Sequence, residues 1–184
     1  QMVGIASVGD TTVVSNKWML GTRNSFIIGL SATFLATALG TVAALGLSRR
    51  SMPFKGTIMA ILISPMIVPL IITSAGMFFF YSKIGLTHTY LGLILAHTAL
   101  GTPFVVITVT ATLTGFDTNL IRASQSLGAD TMRTFFKVIM PLILPGVISG
   151  ALFAFITSFD EVVVVMFVGS VEQITIPKQM WAGL

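Results

Sequence analysis

The chain contains no cysteine, and Asp, Glu, Lys and Arg together make up only 9% of it. The first absence removes disulfides and thiolate metal sites. The second argues against a soluble domain, in which about a quarter of residues are charged. No lysine stands in a Gly-x-x-x-x-Gly-Lys-Ser/Thr setting, so the chain has no phosphate-cradling loop. A His-Glu-x-x-His run is also missing, which leaves a metalloprotease without support. Gln1–Asp10 shows no basic region followed by an apolar core and reads as carrying no signal peptide. What is present is apolar: 54% of the 184 residues are hydrophobic, and the mean hydropathy is +0.97. The net charge of +4 is spread between apolar runs and forms no stripe, so it points to membrane topology and not to nucleic acid. The ten methionines, Met59, Met66 and Met77 among them, read as core fillers.

These features predict an all-α, polytopic membrane helix bundle forming a single domain over 1–184. Four runs are predicted to span the membrane: 24–47, 56–81, 90–113 and 141–170. Each exceeds the ~20 residues needed to cross a ~30 Å hydrocarbon layer. Pro65, Pro69 and Pro103 are expected to kink their helices. Gly40, Ala44 and Gly46, and the pair Gly146 and Gly150, suit close backbone packing. Six of the ten basic residues, Arg49, Arg50, Lys55, Arg122, Arg133 and Lys137, fall in two loops on one side, which should therefore be cytoplasmic. Both ends of the chain then lie outside. With no initiator methionine and no terminating pattern at Gln179–Leu184, the chain is expected to be a fragment lacking a helix at each end.

The segment 115–140, between the third and fourth spans, is too patterned for an idle connector. Asp117 and Thr118 are placed to cap a short helix through Ser126, and Gly128 to supply the positive φ that ends it. Asp130 is placed to cap a second helix, Thr131–Ile139, leading to Pro141. The result is a helix–turn–helix knuckle with Arg122, Arg133 and Lys137 beside Leu127, Phe135 and Phe136. Such a surface can dock into a partner's groove or lie on lipid, and the residues alone leave both readings open.

The run Arg122-Ala123-Ser124-Gln125-Ser126-Leu127-Gly128, followed by Val138-Ile139-Met140-Pro141, resembles the coupling loop of type I ABC importer permeases. That family's pattern is Glu-Ala-Ala, three residues, Gly, nine residues, then Ile-x-Leu-Pro. The spacing of thirteen from Gly128 to Pro141 is kept, whereas Arg122 replaces the Glu and Ser124 the second Ala. An ion pair through that Glu is thus not implied; a docking helix is. Ile63–Pro69, Ala96–Pro103, Gly150–Glu161 and Thr175–Trp181 look like the spermidine/putrescine branch of the same family. The resemblance covers about residues 20–184. It implies a six-helix inner-membrane permease of a bacterium, paired with an identical or different second permease subunit. It also implies an external substrate-binding protein and two copies of a separate ATPase, which would bind the ATP. This chain itself would need no cofactor and catalyse nothing. Arg122, Ala123, Ser124, Leu127, Gly128, Ala129, Arg133, Phe135, Phe136 and Pro141 would form the ATPase-coupling loop.

In the fourth span, Ser158 and Phe159 precede two carboxylates, Asp160 and Glu161. An ionised carboxylate at mid-bilayer costs about 2.5–3.5 kcal/mol on insertion scales, so these should face protein or water. Asp160 lies about 28 Å along a helix from Pro141, near the outer end of a span. The whole run 141–170 would reach ~45 Å, so a break is expected near 158–161. One reading makes Ser158, Phe159, Asp160 and Glu161 part of a path for a di- or polyamine, matched by charge and hydrogen bonds. In that reading Phe155, Phe159 or Trp181 adds a cation–π face. The other has one carboxylate capping the break and the second paired with a basic residue. His97 is expected to be a hydrogen-bonded packing residue more readily than a proton relay. A proton-coupled secondary transporter using Asp160 or His97 is the alternative function, although no repeat between halves supports it. An intramembrane serine protease built on Ser31 and His97 finds no further support.

Overall fold

The structure, a computed structural model, describes residues 8–49 and 51–182, with side chains from residue 16 onward except at Arg50. The chain starts, the chain ends and Arg50, on which part of the leader, fragment and topology expectations rests, lie outside the described residues. Nine α-helices follow one another, and there is no strand among the described residues: α1 (Val8–Leu47), α2 (Lys55–Ile67), α3 (Leu70–Ile84), α4 (Tyr90–Thr114), α5 (Asn119–Ser126), α6 (Thr131–Thr134), α7 (Met140–Asp160), α8 (Val163–Val168) and α9 (Ile176–Ala182). A π turn, Phe135–Ile139, joins α6 to α7 without interrupting the helix. Three stretches are long and apolar enough to cross a membrane: Asn16–Leu47, Tyr90–Thr114 and Thr131–Asp160.

Those three pack against one another along seams of small residues. An added Cβ at Gly40 of α1 would lie 2.7 Å from Val105 Cβ of α4. At Gly150 of α7 it would lie 2.8 Å from Val105 Cα, and at Gly146 it would run into Thr112. The Gly146/Gly150 pair is therefore the α4–α7 packing face, as small residues at this spacing allow where no hydrophobic force drives helices together. Ala36, Ala44, Val105, Val109, Ile143 and Ala154 fill the space between the three helices.

The run 56–81, expected to kink at Pro65 and Pro69, breaks at the second of them. It is not one helix but two, α2 and α3, bent by 103°. Pro69 has no N–H and holds Val68 extended (φ −74°, ψ 133°), so α2 ends before it. Pro65, by contrast, sits inside α2. The first helix also begins earlier than residue 24, because the polar stretch before it continues the same helix. At the other end the predicted break is present: α7 stops at Asp160, Glu161 is extended (φ −74°, ψ 123°), and α8 resumes at Val163. Val164, Val165 and Val168 of α8 then pack on Leu93, Ala96 and Leu100 of α4, with Met77 and Phe78 of α3 against them.

Candidate functional site

Two interrupted helices meet at one end of the bundle. The elbow at Val68–Pro69 and the break at Asp160–Val162 border two adjoining cavities of about 360 and 370 Å³. Leu70, Thr157 and Glu161 line both. Asp160 lines the first, while Leu100 and Phe104 of α4 line the second.

The two carboxylates have different environments. Glu161 is 7% exposed, and its Oε1 accepts a hydrogen bond from the Val164 N–H at 2.8 Å. It satisfies one of the free donors of the first turn of α8, which is what an N-terminal cap does. Asp160 is exposed and faces the cavity. Ser158 is buried, with its Oγ 2.7 Å from His97 Nδ1. Phe159 lines neither of these cavities; its ring packs against Phe26 and Phe155, with centroids 5.5 and 5.3 Å away. Trp181 is exposed on α9. The structure thus brings Asp160 and Glu161 together at the cavity, sets Ser158 behind its wall, and turns Phe159 to α1.

The knuckle lies at the opposite end of α7, roughly 30 Å away by helix rise. Asp117 Oδ1 accepts from the Asn119 N–H at 2.9 Å, whereas Thr118 makes no side-chain cap. Gly128 has φ +83°, and the Gly128 and Ala129 N–H groups bond back to the carbonyls of Gln125 and Ser124, closing α5. Asp130 Oδ1 accepts from the Arg133 N–H at 2.7 Å and starts α6. Ser124 Oγ and Thr134 Oγ1, 3.0 Å apart, tie the two helices together. The second helix is not a separate unit ending at the surface; it runs through the π turn into α7. On this frame Leu127 is 89% exposed. Arg122, Ala123, Gly128, Arg133, Phe136 and Pro141 are also exposed, while Ala129 and Phe135 are half-buried.

Residues 36–182 match the family described as binding-protein-dependent transport system inner membrane component. The chain belongs to this family. It is 32% identical over 159 residues to the spermidine/putrescine transport system permease protein PotC of Haemophilus influenzae, covering 86% of this chain and 62% of that protein. PotC of Escherichia coli K12 is 32% identical over 152 residues, covering 83% of this chain and 57% of that protein. The putrescine transport system permease protein PotI of the same strain is 30% identical over 173 residues, covering 85% and 60%. The chain therefore spans about three fifths of the length of these relatives. The family is one of transport components, not enzymes, and a membrane helix bundle is the fold such a component needs.

Sequence reasoning missed a buried polar network at the cavity end of this chain. Asn24 Nδ2 donates to the carbonyls of Glu172 and Ile174, each at 2.9 Å, and its Oδ1 accepts from Tyr90 Oη. Ser25 Oγ accepts from the Ile176 N–H. Gln173 Nε2 donates to the carbonyl of His88, a residue held at φ +60°. Lys178 Nζ donates to the carbonyls of Val165 and Ser170. The connector from α8 to α9 is thereby fastened to α1 and to the start of α4. The one signal in the sequence was Asn24, an amide at the mouth of an apolar run.

Proposed function

We propose that the chain belongs to a permease subunit in an ATP-driven importer that passes a small organic cation, such as putrescine or spermidine, across the bacterial inner membrane. The observation that carries this reading is the exposed Asp160 carboxylate in a cavity between two broken helices, at the end of the bundle remote from the knuckle. A carboxylate at an apolar cavity wall favours an ammonium group by charge and hydrogen bond. Because Glu161 is engaged in capping α8, the cavity offers one free carboxylate, suited to one ammonium of a linear amine at a time. The names of the similar permeases support the same substrate class.

At the other end, the knuckle docks on a separate ATP-binding cassette dimer through Leu127, Phe136 and the basic residues around them. ATP binds there and not to this chain. The side bearing the knuckle is cytoplasmic; a second permease subunit and an external binding protein complete the system. Closure of the ATPase dimer moves the knuckle, and because α6 is continuous with α7, that motion reaches the cavity through one rigid element. His97 is engaged with Ser158, which leaves the proton-coupled alternative without an observation in its favour.

Uptake of labelled putrescine by the full transporter tests this reading. Spermidine should compete and a neutral sugar should not. Asp160→Asn should reduce uptake about tenfold or more, the loss of one charge contact in a partly desolvated site. Uptake unchanged by that substitution, or uptake by this permease without an ATPase, would contradict the reading.

A further inference from the structure

α4 backs both halves of the broken helix. Its Leu93, Ala96 and Leu100 hold α8 through Val164, Val165 and Val168. Between them on the same face, His97 reaches the last turn of α7 at Ser158. Four other hydroxyls of α4 are used locally: Thr98, Thr102, Thr108 and Thr112 each donate to a carbonyl four residues back in their own helix. Among the described residues, His97–Ser158 is the one side-chain to side-chain hydrogen bond between α4 and α7.

α7 also lacks the usual means of fixing a C-terminus. No glycine in the left-handed region follows Asp160; Glu161 is extended instead. The last turn is therefore positioned from the side. Ser158 is flanked in sequence by Thr157, Asp160 and Glu161, all of which line the cavity. His97 is a poor choice for packing alone, since it is 1% exposed and its Nε2 has no hydrogen-bond partner. A leucine would avoid leaving that nitrogen unpaired, but could not hold Ser158.

We propose that His97 is a positioning residue for the acidic cavity, holding the last turn of α7 through Ser158 so that the Asp160 carboxylate faces the cavity. This rests on the reading of the cavity as a cation path. His97 itself does not touch the cargo; it fixes the last turn of α7 against α4, while Glu161 sets the start of α8. The break is thus pinned on both sides, and Asp160 lies between the two pins.

The absence of cysteine from the chain makes a direct test possible. Thr157→Cys, made the sole cysteine of the assembled full-length transporter in membranes, places a thiol in the cavity wall. Its reaction rates are measured with two methanethiosulfonates of similar size, one carrying trimethylammonium and the other sulfonate. The cationic reagent should react about tenfold faster or more, because a negatively charged cleft concentrates cations. Asp160→Asn should abolish this preference. His97→Ala and Ser158→Ala should each lower the ratio about threefold or more as the carboxylate moves away. The double variant should fall no further than either single one, and His97→Gln should keep most of the ratio. General loosening would speed both reagents alike and leave the ratio unchanged. If His97→Ala fails to assemble, Ser158→Ala, which removes only a hydroxyl, decides. A ratio that collapses in Asp160→Asn but is unmoved by Ser158→Ala and His97→Ala overturns the positioning role and leaves the acidic cavity standing. Additive losses in the double variant overturn it as well. No effect of Asp160→Asn overturns the cation path itself.

Discussion

The two ends of α7 are built on opposite plans. At the knuckle end, short capped helices hold large apolar side chains out in the open, Leu127 and Phe136 foremost. At the cavity end, polar groups are drawn inward: Asn24, His97, Ser158, Glu161 and Gln173 are all buried and hydrogen-bonded. Exposed apolar area on a rigid frame gains most by being covered by a partner. Buried polar groups bonded to the main chain and to one another hold the backbone around a charge. In the proposed reading one end receives a push and the other keeps a carboxylate in place, and both belong to the same continuous helix.

The largest effect is expected where the two ends are joined. Gly150→Leu puts a branched side chain where a Cβ alone already lies 2.8 Å from Val105 Cα. Overpacking of this kind costs on the order of 1–3 kcal/mol or more. The permease should vanish from membranes on an immunoblot, taking both functions with it. Next, Leu127→Asp should abolish co-purification of a separate ATPase while leaving the permease's melting temperature unchanged, because the side chain touches little within the chain. Gly128→Val should act in the same direction, since φ +83° is strained for a branched residue. Glu161→Gln keeps an acceptor for the Val164 N–H but gives up the charge. It should lower the melting temperature modestly, within the ~1 kcal/mol range of a helix cap, and alter cation uptake less than Asp160→Asn does. The smallest effect belongs to Ser124→Ala, which deletes the Ser124–Thr134 tie; about 1 kcal/mol or less is at stake. Hydrogen exchange in α5 should quicken, with ATPase binding weakened and not lost.

The knuckle was the more legible of the two ends. Gly128 and Asp130 act locally, and capping chemistry can be read from residue type and spacing. Thr118 was misread because Asp117, one residue earlier, reaches the same turn. The break after Asp160 was readable from length alone, as the run was too long for one span. The elbow in 56–81 was readable only as a kink at a proline, not as the end of a helix. Hydropathy runs on through the bend, and two prolines offered themselves, of which only Pro69 ends a helix while Pro65 rides within one. The polar network was illegible for a different reason. Asn24 is satisfied by the main-chain carbonyls of Glu172 and Ile174, and backbone acceptors leave no mark in the sequence. The pairing of His97 with Ser158 needed the register of α4 against α7, which the Gly146/Gly150 seam sets but which cannot be counted off either helix alone.

The division of labour between the ends is tested most directly by measuring uptake and ATPase retention in the same preparations of Asp160→Asn and Leu127→Asp. Asp160→Asn should retain its full complement of ATPase and lose labelled putrescine uptake about tenfold or more. Leu127→Asp should lose the ATPase while the Thr157→Cys reporter still prefers the cationic reagent. Asp160→Asn transporters that take up putrescine at the unaltered rate would contradict the account.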